Sequence, residues 1–103
     1  MKDIEKFYSS FSNDLRVLID KLSGSIFEIF PIIKEKINFK TDSLEYIDSK
    51  YGKFIILRVK ENSVELIIKK KNKILMALEF FDEKNIDMNK LEVGLKVLIS
   101  ENF

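Results

Sequence analysis

The chain has 103 residues, a formal net charge of +1, and neither cysteine nor histidine. This composition excludes disulfide bonds, thiolate metal sites and catalysis by cysteine or histidine. The 18 basic and 17 acidic residues nearly cancel, so no overall field would attract nucleic acid or a membrane. The length and the apolar fraction of 46% predict a single small globular domain over residues 1–103.

The first residues, Met-Lys-Asp-Ile-Glu-Lys, lack the apolar segment of a signal peptide. No apolar run approaches the ~20 residues that cross a bilayer. Together with the lack of cysteine, these features predict a cytoplasmic protein with no membrane partner. Lysine, isoleucine, asparagine and phenylalanine are abundant, whereas alanine occurs once, at Ala77. This bias is typical of AT-rich genomes, so we expect a low-GC bacterium, one of its phages or an archaeal virus as the source, with a viral protein acting in the host cytoplasm.

Apolar residues recur every three or four positions from Ile4 to Leu22, which predicts an amphipathic helix. Residues 9–13 are poor in helix formers, so a helix that begins near Asn13 after a looser arm is the alternative. The run of small residues at positions 23–25 is expected to end this helix.

A second helix is predicted over residues 26–37, where most positions are apolar. Ser25 and Glu28 have the spacing of a capping box at its start. Pro31 lies inside this segment and removes a backbone donor, so we expect a kink there or a new helix that begins at Pro31.

Residues 42–52 are compatible with a helix or a strand. Asp42 and Glu45 have the spacing of a capping box, and Gly52 stands where a left-handed residue often ends a helix. We predict the helix, and a short strand over residues 44–48 is the alternative.

Three segments alternate apolar and other residues as strands do: residues 53–60, 64–70 and 74–81. Turn-forming residues separate them, which predicts a three-stranded antiparallel meander. If Leu57 faces Leu66 and Leu66 faces Met76, every inward residue meets another inward residue. That register requires a two-residue loop at 61–62 and a three-residue loop at 70–72.

The second face of this predicted sheet is also apolar. In the same register, five residues fall close together on it: Phe54, Ile56, Ile67, Leu75 and Phe81. A face exposed to water normally alternates with polar residues, so this one needs cover from the C-terminal helix or from another chain. It is the predicted partner face, either for a second copy in a homodimer or for another protein.

The last segment carries Leu91, Gly94, Leu95, Leu98 and Ile99 at helical spacing after a cap near Asp87. The odd-numbered positions from Leu91 to Ile99 also alternate as a strand does, so a strand is the alternative for residues 88–100. We predict the helix. The expected fold class is α+β, with two or three N-terminal helices, a three-stranded antiparallel β-meander and a C-terminal helix.

Four lysines surround the tip of the second predicted hairpin: Lys69, Lys70, Lys71 and Lys73. The cluster resembles the wing of a winged-helix DNA-binding domain, which would contact phosphates. Residues 42–51 would then enter the groove of the DNA, but they are acidic, and no aromatic residue is interleaved with the lysines for base stacking. A solvated turn whose lysines discourage edge-to-edge association explains the cluster more simply, and we prefer it.

The other polar residues match no catalytic or metal-binding pattern. The acidic residues at 42–48 and 82–87 fit caps and turns, and the three glycines are isolated, so there is no Gly-rich phosphate loop. We therefore expect no enzyme activity, no cofactor and no metal. The sequence favours a non-enzymatic protein-interaction module that forms a homodimer or binds another protein. Nucleic-acid binding through the hairpin lysines is the alternative.

Overall fold

A computed structural model describes residues Asp3–Phe103, apart from the side chain of Asn85. Its elements in chain order are α1 (Asp3–Tyr8), α2 (Asn13–Ile29), β1 (Lys34–Asn38), β2 (Ser43–Asp48), β3 (Gly52–Val59), β4 (Val64–Lys70), β5 (Lys73–Phe80), a 3-10 turn (Glu83–Asn85) and α3 (Met88–Asn102). The strands form one antiparallel sheet in the order β1-β2-β3-β4-β5. The α+β class, the N-terminal helices and the C-terminal helix are confirmed, but the sheet has five strands and not three.

Helix α2 begins at Asn13, as the alternative prediction has it. Ser12 is extended and its side-chain oxygen accepts a hydrogen bond from the Leu15 amide at 3.3 Å, which caps the helix. The helix then continues through residues 23–25, which were expected to end it. Ser23 and Ser25 are buried there, so tertiary packing outweighs the low helix propensity of these small residues.

Pro31 ends α2 and does not kink it. A residue that precedes proline is disfavoured in the helical region, and Phe30 has φ −127° and ψ 77°. The chain leaves the helix at this point and extends into β1. The second helix predicted for residues 26–37 is therefore wrong beyond Ile29.

Strand β2 lies where we predicted a helix, so the strand alternative is correct for this segment. Asp42 adopts a left-handed φ of 51° in the turn before β2, and Gly52 adopts φ 72° at the start of β3. Aspartate and glycine tolerate this conformation better than most residues, and they also favour helix ends. Their spacing alone therefore does not distinguish a helix with two caps from a strand with two turns.

The hairpin of β3 and β4 has the predicted register. Leu57 pairs with Leu66, and Arg58 pairs with Glu65. The Lys60 amide donates to the Ser63 carbonyl at 2.8 Å, which closes the two-residue loop at 61–62.

The hairpin of β4 and β5 differs from the prediction. Leu66 pairs with Leu78 and not with Met76. A two-residue turn with Lys71 at φ 56° connects the strands, and a bulge leaves Leu75 without a partner between two paired residues. The predicted three-residue loop is therefore wrong.

All three α-helices pack on one face of the sheet, which we call the inner face. Helix α2 supplies five large buried side chains to this core: Leu15, Leu18, Ile19, Leu22 and Ile26. Leu95 and Ile99 of α3 join the same core beside α2. Within residues 3–103 the opposite, outer face carries no helix. None of the helices in this range combines the length and the apolar content of a bilayer-crossing segment.

We predict that Gly24→Ala stabilises the protein. Gly24 is exposed inside α2, and a Cβ there would meet no atom of residues 3–103 within 4 Å beyond the adjacent helix backbone. Alanine should raise the free energy of unfolding by about 0.5–1 kcal/mol, as measured by urea denaturation. The matched variant Gly52→Ala should lower it by about 1–2 kcal/mol because of the left-handed φ. Destabilisation by Gly24→Ala would contradict a continuous α2.

Candidate functional site

The structure does not bring the predicted partner face together. Phe54 is fully buried on the inner side. The centre of its ring lies 5.2 Å from that of Phe30 and 5.7 Å from that of Phe103. Leu75, the bulge residue of β5, also packs against the main core. Phe81 is 70% exposed beyond the end of β5, in a shallow depression beside Val17.

Ile56 and Ile67 do lie side by side on the outer face, as predicted. They are only 8% and 5% exposed even though no helix of residues 3–103 covers them. Charged side chains share this face, and Lys53 and Glu45 form an ion pair there at 3.3 Å. The two isoleucines are thus nearly inaccessible in the single chain, so they do not form an open apolar patch on the outer face.

A wide apolar groove lies along the edge strand of the sheet, between β5 and α3. We call it the β5–α3 groove, and it has a volume of about 660 Å³. Its apolar lining comes from β5, α3 and the segment between them: Met76, Leu78, Phe80, Ile86, Leu91, Gly94, Leu95, Val97 and Leu98. Asp87, Lys90 and Glu101 are its only charged lining residues within the described part of the chain.

Several large side chains around this groove are poorly covered. Leu78 is 40% exposed and Val97 is 50% exposed, and Val93, one turn before Val97 on α3, is 60% exposed. Single exposed apolar residues are common on protein surfaces, but a contiguous group beside an apolar groove marks an interaction surface.

The groove was not predicted, yet the sequence of α3 contained a signal for it. The alternation from Leu91 to Ile99 left open whether the segment is a strand. In the helix that forms, Leu95 and Ile99 face the core, and the same alternation places Val93 and Val97 on a second, exposed side. An alternating pattern within a helix thus gives it two apolar faces, of which its own domain buries one.

The four predicted lysines lie at the tip of the β4–β5 hairpin, and the structure adds aromatic residues that the sequence did not show. The Lys70 ammonium lies 5.7 Å from the centre of the Phe103 ring, and that of Lys50 lies 5.4 Å from the centre of the Tyr51 ring. The two rings pack 5.0 Å apart. We call this end of the sheet, with Lys50, the tip lysines and these two rings, the basic end.

Further lysines point to the outer face next to the basic end. By strand register they are Lys34 and Lys36 on β1 and Lys53 on β3, and Lys69 of the tip points to the same face. Glu45 lies among them and is paired with Lys53. This part of the surface is thus basic although the whole chain has a net charge of only +1.

A buried polar cluster connects α2 to β1 and β2. The Tyr46 hydroxyl donates to the Glu35 carboxylate at 2.7 Å and lies 3.0 Å from the Ser23 hydroxyl, which donates to the same carboxylate oxygen at 3.0 Å. Burial, followed by the charge of Glu35, raises the pKa of Tyr46 well above its usual range. Tyr46 therefore stays protonated and acts as a structural donor.

Tyr8 has a similar arrangement nearby. Its hydroxyl donates to the Asp20 carboxylate at 2.6 Å, and burial together with this hydrogen bond raises its pKa. Both tyrosines are thus held in the protonated form, which is unsuited to a general base at neutral pH.

Glu79 on β5 is held in the opposite state. The Ser63 hydroxyl donates to its carboxylate at 2.5 Å, and Lys60 lies 3.5 Å away. The hydrogen bond, with a smaller contribution from the charge of Lys60, lowers the pKa of Glu79. Glu79 is therefore charged at neutral pH on the outer side of β5.

No group of three or more acidic side chains among residues 3–103 converges closely enough to hold a metal ion. Comparisons of the chain with models of known protein families, with curated proteins and with solved structures found no match. The β5–α3 groove and the basic end of the sheet are therefore the two candidate functional surfaces.

We predict that the free energy of unfolding decreases less steeply with rising alkaline pH in the Tyr46→Phe variant than in the wild type. Above pH 10.0, the ordinary pKa of tyrosine, the unfolded chain loses the Tyr46 proton and the folded chain keeps it. The stabilisation by this group is complete below that pH and falls above it by about 1.4 kcal/mol per pH unit. Urea denaturation of both proteins at increasing alkaline pH measures the difference in slope. Identical slopes would contradict the role of Tyr46 as a buried protonated donor.

Proposed function

We propose that the protein is a non-enzymatic protein-interaction module that forms a homodimer through the β5–α3 groove. The observation that carries the proposal is the continuous apolar lining of the groove beside Leu78, Val93 and Val97, which are 40–60% exposed in the single chain. Burial of such side chains is the main driving force of association between proteins.

A second copy is a suitable occupant because the groove is self-complementary in charge. Lys90 and Glu101 lie on its α3 side and carry opposite signs. Neither forms an ion pair within residues 3–103. In a dimer with a two-fold axis, a contact between Lys90 of one copy and Glu101 of the other occurs twice. Each of the four charges would then lie beside a charge of opposite sign.

A non-enzymatic role is supported by the polar groups of the inner face. The Tyr8 hydroxyl connects α1 to α2 through Asp20, and Tyr46 and Glu35 connect β2 and β1 to Ser23 of α2. The raised pKa values of the two tyrosines keep these groups as donors. The sequence also lacks the histidine and cysteine side chains that most often act as bases and nucleophiles.

The dimer is tested with Val97→Glu. Val97 is half exposed in the single chain, so the fold should tolerate glutamate, whereas two buried carboxylates would disrupt the interface. We expect a dimer mass for the wild type and a monomer mass for the variant at micromolar concentration, measured by light scattering after size exclusion.

The matched control is Val17→Glu, at a valine of α2 that is 41% exposed and outside the groove. This variant should remain dimeric. A wild-type protein that is monomeric at micromolar concentration, or a Val97→Glu variant that stays dimeric, would contradict the proposal.

Nucleic-acid binding at the basic end is a second candidate function. The observation in its favour is the contact of Lys50 and Lys70 with the rings of Tyr51 and Phe103, because lysines beside aromatic rings suit phosphates and stacked bases. Lys71 also occupies a left-handed turn position that glycine or asparagine fills at lower energetic cost.

We predict that this binding, if it is the function, depends on four lysines. Replacement of Lys69, Lys70, Lys71 and Lys73 by glutamine should abolish it and should remove most of its salt dependence, since each lost phosphate contact lowers the slope by about one. Fluorescence anisotropy with labelled single- and double-stranded oligonucleotides at two salt concentrations measures both effects.

A control with the same net charge replaces four exposed lysines elsewhere: Lys6, Lys40, Lys84 and Lys96. It should bind as the wild type does. Equal loss of affinity in both variants would indicate only a nonspecific charge effect, and flat titrations of the wild type would exclude this candidate.

A further inference from the structure

We infer that the second copy joins along strand β5, antiparallel to it, with Leu78 on the two-fold axis. The five strands of each copy would then form one continuous sheet, and the two α3 helices would lie antiparallel across the axis. This inference rests on the proposed homodimer and specifies its geometry.

Strand β5 is a free edge of the sheet. It pairs with β4 on one side, and no other strand of residues 3–103 lies on its other side. The backbone groups along that side are therefore available to a further strand, and the inner side chains of β5 already form the floor of the groove.

Symmetry restricts the possible registers. Directly opposite residues of two antiparallel strands point to the same face of the sheet. When a two-fold axis perpendicular to the sheet relates the two strands, one residue must therefore lie opposite its own copy. The bulge at Leu75 limits the regular part of β5 to Met76–Phe80. Leu78 is the middle residue of that stretch, and a pair centred on it places Met76 opposite Phe80 of the copy on the inner face.

The outer face of β5 disfavours a centre at the neighbouring Glu79. With Leu78 on the axis, Ala77 faces Glu79 of the copy, so a small neutral side chain meets a charged one. A pair centred on Glu79 would instead place two carboxylates directly opposite each other, which is unfavourable.

Helix α3 is suited to the same axis. If its antiparallel copy crosses it near Leu95, then Lys90 meets Glu101 of the copy and Gly94 meets Val97 of the copy. Apart from the adjacent backbone of α3, no atom of residues 3–103 lies within 4 Å of a Cβ built on Gly94, so the glycine leaves room for a neighbouring helix. Val93 and Val97, exposed in the single chain, would be buried between the helices.

The test uses the absence of native cysteine, so that a single introduced thiol reports one contact. Paired residues of antiparallel strands have Cα atoms about 4.5–5.5 Å apart, which is within the range of disulfides. Leu78→Cys should therefore form a covalent dimer under mild oxidation with copper phenanthroline, detected by non-reducing electrophoresis. Val17→Cys, at a site of nearly equal exposure, should not.

The outcomes separate this inference from the proposed function. A Leu78→Cys protein that has a dimer mass without oxidant but does not cross-link faster than Val17→Cys would overturn the β5 pairing and leave the homodimer intact. A monomer mass for the wild type would overturn both and leave the groove to a different protein.

Two substitutions at Ala77 test the register itself. Ala77→Lys would place a cation opposite Glu79 of the copy, and Ala77→Glu would place an anion there, twice in each dimer. We expect the dissociation constant to fall several-fold for the first and to rise several-fold for the second at low salt, measured by sedimentation equilibrium. Equal effects of the two charges would overturn the pairing centred on Leu78.

Discussion

The width of the sheet relative to its helices determines the rest of the architecture. Five strands spaced by about 4.8 Å form a surface roughly 24 Å wide, whereas a helix with its side chains covers about 10 Å. Helix α2 buries seven of its residues, most of them in the core against the centre of this surface, and α3 packs beside α2. Helix α1 is only six residues long. A strip along β5 therefore remains without full cover, and this strip is the floor of the β5–α3 groove.

The sequence was sufficient for the elements whose pattern has one interpretation. The last three strands alternate clearly, and the β3–β4 register follows from matching inward residues. The sequence does not reveal β2 because Asp42 and Gly52 favour both helix ends and left-handed turns. It does not reveal β1 because residues 34–37 continue the apolar pattern of the helix predicted over 26–37. The serines and glycine at positions 23–25 predict a helix end, but the burial of Ser23 and Ser25 keeps α2 continuous. Local preference could not decide these cases, because tertiary packing did.

The candidate surfaces were less accessible to prediction. Strict alternation assigns Phe54 and Leu75 to the outer face, but each is the unpaired residue of a bulge. A bulge turns a side chain to the other face of the sheet, and the amino-acid composition does not reveal where it occurs. The lysines of the hairpin tip were identified from sequence alone. Their aromatic neighbours, Tyr51 and Phe103, come from distant parts of the chain, so only the folded structure shows them beside Lys50 and Lys70.

The connectivity of the sheet has a consequence for folding. Every strand pairs with its neighbour in sequence, so each pairing closes a short loop with a small loss of entropy. Contacts between α2 and the C-terminal segment, such as those of Lys21 with Glu83 and of Ser25 with Met88, span 62 and 63 residues. Local pairings are expected to form before such distant ones. The edge strand would then be complete before α3 docks, so the folding chain exposes β5 more fully than the native protein does.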